Sequence, residues 1–134
     1  MTAFDTNILI YSCDCADSKR QQRAFELIAG VPEGVLLWQT AVEFMAASRK
    51  LTSQGFTAAQ AWARLHEFME VLQLVIPSPR AFEYAQPLHQ EQGVSFWDVM
   101  IIGACLDGGI TTLYSEDLPG RIFKAPLQIV NPFR

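Results

Sequence analysis

Five short apolar runs punctuate this chain: TAF at 2–4, GVLLW at 34–38, LQLVIP at 72–77, TTLY at 111–114 and QIV at 128–130. Helical patterns fill the gaps between them. KRQQRAFELIA, 19–29, reads as an amphipathic helix stopped by Gly30 and Pro32. A second helix spans 40–51, with Arg49 and Lys50 at the end where basic residues are favoured. Thr57-Ala58-Ala59-Gln60 resembles a capping box that opens a third helix, 58–71. A fourth covers 79–92, with Pro87 as a candidate kink and Gly93 as its stop, and Ser95 caps a fifth that runs to Asp107. Strands alternating with helices predict an α/β fold with a parallel sheet and helices on both faces. A length of 134 residues suits one domain, residues 1–134, with a real core.

That topology constrains the acids. A crossover helix runs antiparallel to the strands, so one that directly follows a strand begins at the strands' C-terminal edge. So does one that leads directly into the next strand, and ligands of open α/β sheets bind at that edge. Asp5 ends the first strand. Glu43 lies near the start of the helix after the second. Asp98 lies in the first turn of the helix that leads into TTLY, and Glu116 and Asp117 follow TTLY.

Asp98 is the odd residue in SFWDVMIIGACL, 95–106, where nothing else ionises. An isolated carboxylate in apolar surroundings is costly unless paired or metal-bound. Each acid also has a local explanation. Asp98 fits the third position of a capping box opened by Ser95, and Asp5-Thr6-Asn7 fits an Asx-type turn. Glu43 reads equally as a solvated first-turn acid, and Ser-Glu-Asp as a polar loop.

The balance of 10 Lys and Arg against 14 Asp and Glu gives a net charge of −4. A broad basic surface for gripping nucleic acid is therefore not expected. Gathered carboxylates repel and raise each other's pKa, and a divalent cation relieves that repulsion. Oxygen donors without His or Cys suit Mg²⁺ or Mn²⁺, which also bind phosphates and activate water. The matching reaction is phosphodiester hydrolysis. Thr6, Asn7 and Ser115 stand beside these acids and could orient a carboxylate or hold a water.

Other chemistries find less support. The chain has neither a Gly-rich phosphate loop nor a GxSxG elbow. His66 and His89 lie on separate helices without an obvious nucleophile. Cys13, Cys15 and Cys105 are odd in number and lack CxxC spacing, which disfavours a disulfide framework or a zinc site; Cys105 is expected in the core. Trp62, Leu65, Phe68 and Met69 follow helical spacing and read as core or dimer interface. Lys19, Arg20 and Arg23 form a small basic cluster, either a solvated face or an RNA contact. No apolar run reaches the roughly 18 residues of a membrane helix. MTAFDTNILIY lacks a basic leader region, so no secretory signal and a cytoplasmic location are expected.

At these residues the chain resembles the PIN-domain family, and within it the VapC-type toxin ribonucleases of bacterial toxin–antitoxin pairs. FDTNILIY at 4–11 resembles the family's opening strand, and QTAVEF at 39–44 its second motif. Leu37 and Trp38 stand where a serine is often found upstream of that second motif. SFWDVMI at 95–101 and LYSEDL at 113–118 resemble the third and fourth motifs, and VNPF at 130–133 the final strand. The resemblance implies a three-layer α/β/α sandwich, often a homodimer, that cleaves RNA with Mg²⁺ or Mn²⁺. Carried over residue by residue, it implies Asp5, Glu43, Asp98 and Asp117 as metal ligands, with Ser115 and Asn7 beside them. Glu116 is the adjacent alternative to Asp117. The implied partner is a small antitoxin whose tail blocks the acidic pocket. A non-catalytic RNA- or protein-binding module of the same fold is the second reading.

Overall fold

A computed structural model describes residues 1–118 and 126–134. Its centre is a five-stranded, wholly parallel sheet in the order β3-β2-β1-β4-β5. The strands are β1 (Thr2–Phe4), β2 (Gly34–Leu37), β3 (Gln73–Val75), β4 (Thr112–Tyr114) and β5 (Gln128–Val130). The helices are α1 (Thr6–Tyr11), α2 (Ser18–Gly30), α3 (Trp38–Ala47), α4 (Ala58–Val71), α5 (Arg80–Gln92) and α6 (Phe96–Asp107). A 3-10 helix, Ser48–Gln54, extends α3. No described helix is long and apolar enough to cross a membrane.

The two-residue period of the strands sorts side chains into two cores. Ala3, Val35, Leu37 and Leu113 face α5 and α6, where they meet Ala85, Leu88, Val99, Ile102 and Cys105. Phe4 and Leu36 face the other way, onto Ile8 and Leu9 of α1, Leu27 of α2, Phe44 of α3 and Phe68 of α4. The result is the expected α/β/α sandwich. Phe44 and Phe68 meet edge to face, with ring centroids 5.2 Å apart.

Several boundaries move from the sequence expectation. Helix α1 was not anticipated. Asp5 caps it, its carboxylate accepting from the Thr6 amide, and Asn-Ile-Leu-Ile-Tyr coils although isoleucine favours strand. Six residues are too few for a helical period to show in the sequence. Trp38 opens α3 rather than closing β2, and the helix expected to reach residue 51 tightens into the 3-10 turn after Ala47. LQLVIP contributes only Gln73–Val75 to the sheet. The Thr57–Gln60 capping box forms in full, with Gln60 N–H donating to Thr57 Oγ1 at 3.1 Å and Thr57 N–H donating to Gln60 Oε1 at 2.8 Å. Helix α5 runs through Pro87 and ends at Gly93, which adopts φ +64°.

The α4 stripe divides. Leu65 and Phe68 are core, whereas Trp62 and Met69 are exposed. With Trp38, Val42 and Met45 they line an apolar groove of about 390 Å³ between α3 and α4.

Helices α5 and α6 pack at close range, and that pairing places the N-terminus of α6 at the site. Gly103 permits it, because a Cβ there would run into the Ala81 carbonyl oxygen. The Asp107 carboxylate accepts from Ser78 N–H at 2.7 Å and Ser78 Oγ–H at 2.6 Å, joining the end of α6 to the approach to α5. Gly103→Ala is expected to destabilise the fold by about 1–3 kcal/mol, since backbone must shift to admit a methyl group. Urea unfolding of the two proteins measures this. The Ser78 hydrogen bonds hold the Asp107 pKa below its ordinary value. Its contribution is therefore complete above the unfolded carboxylate pKa of about 3.9 and lost as pH falls through the lower folded value. Asp107→Asn should cost about 1 kcal/mol from pH 5 to 8, and that cost should shrink as pH falls below the unfolded carboxylate value. Parallel melts across that range check the sign.

Candidate functional site

Asp5 is the anchor. It directly follows β1, the middle strand, and its N–H donates to the Tyr114 carbonyl at 2.8 Å. The residue is only 7% exposed. One carboxylate oxygen, Oδ1, accepts from the Thr6 amide at 2.7 Å, and Oδ2 accepts from Ser115 Oγ–H at 2.7 Å. Ser115, fully buried just past β4, in turn accepts from the Leu118 amide at 3.1 Å. Burial pushes the Asp5 pKa up and outweighs those two hydrogen bonds, and the charges of Asp98 and Glu43 push it further the same way. The three acids, from three separate segments, therefore share one electrostatic neighbourhood.

Glu43 lies on α3, partly buried, with both oxygens engaged. Thr6 Oγ–H donates to Oε2 at 2.6 Å and Gln39 Nε2–H donates to Oε1 at 3.0 Å. Asp98 is the third residue of α6. Ser95 Oγ accepts from the Asp98 amide at 3.3 Å, so half of the capping interaction forms. The reciprocal half does not, and among the described residues the Asp98 carboxylate accepts no hydrogen bond. Helix capping alone thus does not account for this acid.

The adjacent acids after β4 part company. Glu116 accepts from Arg20 Nη2–H at 2.6 Å and from Tyr11 O–H at 2.5 Å, and its pKa is lowered by those bonds. Tyr11 responds in the opposite sense, pushed up to about 12 chiefly by its bond to Glu116. Arg20 also pairs with Asp17 and lies over the rings of Tyr11 and Phe133, at 5.5 and 5.4 Å from their centroids. Asp117 faces Asn7, whose Nδ2–H donates to its Oδ2 at 3.0 Å. The other end of that amide, Asn7 Oδ1, is buried without a hydrogen-bond partner.

Tyr11, Arg20 and Gln39 enter the picture only with the structure. Arg20 belonged to a cluster read as a solvated face or an RNA contact, but it is committed to Glu116 and Asp17. Arg23 likewise donates to the Pro132 carbonyl at 3.2 Å. The spacing of Gln39 from Glu43, i and i+4, was the available sequence signal. Cys105 is core as expected, and Cys15 donates through Sγ to Gln54 Oε1 at 3.0 Å.

Glu43 and Asp98, whose charges reach Asp5, and Asp117 with the unpartnered Oδ1 of its neighbour Asn7 offer oxygen donors. That donor chemistry fits a hard divalent cation. As the side chains stand, no three His, Cys, Asp or Glu residues among those described are close enough together to hold a metal ion. Asp117 is exposed, so its carboxylate has room to move.

The sequence profile of the PIN domain matches residues 3–118. A search of curated protein sequences finds no match. Among solved structures, the toxin VapC20 of Mycobacterium tuberculosis, described as cleaving the sarcin-ricin loop, superposes with a TM-score of 0.68 at 18% identity. The match covers 87% of this chain and 90% of that one. VapBC2 from Rickettsia felis, solved on a DNA fragment from its promoter, gives 0.70 at 16% identity over 97% of both chains. A toxin–antitoxin complex from Klebsiella pneumoniae gives 0.69 at 20% identity over 98% of both. At these identities the structures attest the fold, and the profile match, which spans most of the chain, attests the family: this protein belongs to the PIN domain family.

Proposed function

We propose that this chain is a metal-dependent endoribonuclease, the toxin of a toxin–antitoxin pair. The observation that carries this reading is the uncompensated charge around Asp5. Asp5 is buried, burial raises its pKa and Asp98 and Glu43 raise it further. Among the described residues its carboxylate has two donors, the Ser115 hydroxyl and the Thr6 amide, and no salt bridge. Arg20, on α2, is spent on Glu116 and Asp17. Such an arrangement is costly on its own and favourable around an added cation.

In this reading Asp5, Glu43, Asp98 and Asp117 hold Mg²⁺ or Mn²⁺. When bound, such an ion lowers the pKa of an attacking water and offsets charge on the phosphate. The chain's own groups prepare the site. Ser115 and the Thr6 amide fix the Asp5 carboxylate, Thr6 Oγ–H fixes Glu43, and Asn7 Nδ2–H holds Asp117 at the exposed edge. Glu116 serves the scaffold by tying the segment after β4 to α1 and α2. The assignment of Asp117 over Glu116 follows from that division.

RNA is the proposed substrate. The net charge of −4 leaves phosphate attraction to the metal and to local contacts. A cognate antitoxin is the proposed partner, in keeping with the complexes formed by structurally similar proteins. A homodimer in a cytoplasmic setting completes the reading.

Cleavage of a structured-RNA pool by antitoxin-free protein tests it. Wild type should cleave with Mg²⁺ or Mn²⁺ and stop in EDTA. Asp98→Asn should lose at least a hundredfold in rate while melting at or near the wild-type temperature. Glu116→Gln should keep most of its activity and lose stability. Full activity in Asp98→Asn, with contaminating nuclease excluded, would remove that residue from the site. Folded, metal-loaded wild type that binds RNA without cutting it would instead indicate the non-catalytic binding module. Ser115→Ala leaves a buried Asp5 oxygen without its donor and should destabilise the protein by about 1–3 kcal/mol at neutral pH. Chemical denaturation reads that loss directly.

A further inference from the structure

Glu43 and Asp98 are carried by helices in different layers. Helix α3 packs on the face of the sheet that holds Phe44, and α6 on the face that holds Val99 and Ile102. Packing of one helix on the other therefore does not set their spacing. One side chain joins them directly. Gln39 Nε2 lies 3.0 Å from Glu43 Oε1 and 2.9 Å from the main-chain oxygen of Trp97, the residue before Asp98. Both partners can only accept, so the amide nitrogen must face them and its two hydrogens are both used. Among the described residues this is the one hydrogen bond between α3 and α6. Thr6 holds the other Glu43 oxygen, at 2.6 Å. The Glu43 carboxylate is thereby gripped from α1 on one side and referred to the N-terminus of α6 on the other.

We infer that Gln39 is a positioning residue for the acidic site: it sets the Glu43 carboxylate relative to the first turn of α6 and so tunes affinity for the divalent ion. Gln39 lies one turn before Glu43, on the same face of α3. Its amide does not need to touch ion or substrate, because it acts through Glu43 and the Trp97 peptide. Outer groups that orient a ligating carboxylate change metal affinity by about 10- to 100-fold when removed. The inference rests on the metal-site reading above and names a further determinant of that site.

The test measures Mn²⁺ binding to the RNA-free protein by calorimetry or by electron paramagnetic resonance. Wild type is compared with Gln39→Met, which keeps the unbranched shape without donors, and with Gln39→Ala. The dissociation constant should rise about tenfold in both variants. Their thermal midpoints without metal should stay within a few degrees of wild type, roughly the range for loss of one part-exposed hydrogen bond. RNA cleavage at limiting Mn²⁺ should fall through kcat with KM unchanged, and excess Mn²⁺ should restore it. Unchanged Mn²⁺ affinity in variants of a wild type that binds the ion overturns the role of Gln39 alone. Loss of a cooperative melt in both variants also overturns it, by making Gln39 a residue of the fold. Absence of Mn²⁺ binding by folded wild type overturns the metal-site reading and this inference with it.

Discussion

A carboxylate buried at the end of the central strand governs this molecule. Asp5 sits where β1, flanked by β2 and β4, delivers it to a buried position. Desolvation disfavours its charge, and two other acids disfavour it further. Two hydrogen bonds, from Ser115 and the Thr6 amide, offset part of that cost. Much of the surrounding architecture answers to this one group. The cap of α1 is built on it, the turn after β4 returns Ser115 to it, and the second turn of α3 and the first turn of α6 carry Glu43 and Asp98, whose charges add to its cost.

The segment after β4 shows how a fold separates identical chemistry. Glu116 and Asp117 are neighbours in the chain, yet they serve different ends. Glu116 is neutralised by Arg20, donated to by Tyr11, and roofed by the packing of Arg20 on Tyr11 and Phe133. Ionic and cation–π contacts to the same guanidinium reinforce one another and leave it little freedom. Among the described residues Asp117 meets the amide of Asn7 and no cation. A charge that is already paired has little to gain from a metal ion, and one that faces an amide has more. The carboxylate left open at the edge of the sheet is thus kept apart from the ion pair that ties this segment down.

The two layers also divide the work. Helices α5 and α6 form a tight pair, with Gly103 admitting the Ala81 carbonyl and Asp107 holding Ser78. Asp98 is carried in the first turn of α6, at the opposite end of that helix from Asp107, whereas Glu43 rides on α3 in the opposite layer. Bringing them to one neighbourhood needs the sheet as a common frame. A long-range arrangement of this kind is exacting: small errors in either layer would separate the acids, and direct cross-links such as Gln39 to Trp97 reduce that freedom.

Much was legible before any coordinates. Alternating apolar runs and helical periods specify a parallel sheet with helices on both faces, because each element must bury its apolar side against another. Chain direction then assigns Asp5, Glu43, Asp98 and Asp117 to one edge, since ligand-bearing ends of parallel strands share a direction. The conformation of residues 6–11 was not legible, because a six-residue helix shows no period and its β-branched residues favour strand in isolation. Nor was the different pairing of Glu116 and Asp117, which depends on Arg20, some 96 positions away in sequence from Glu116. The sequence by itself determined the order of elements and the edge on which the acids lie, for those follow from local periodicity and chain direction. Which acid is paired, which is left facing its neighbours, and which amide spans the two layers were decided only by tertiary structure, because each rests on contacts between segments that no local pattern connects.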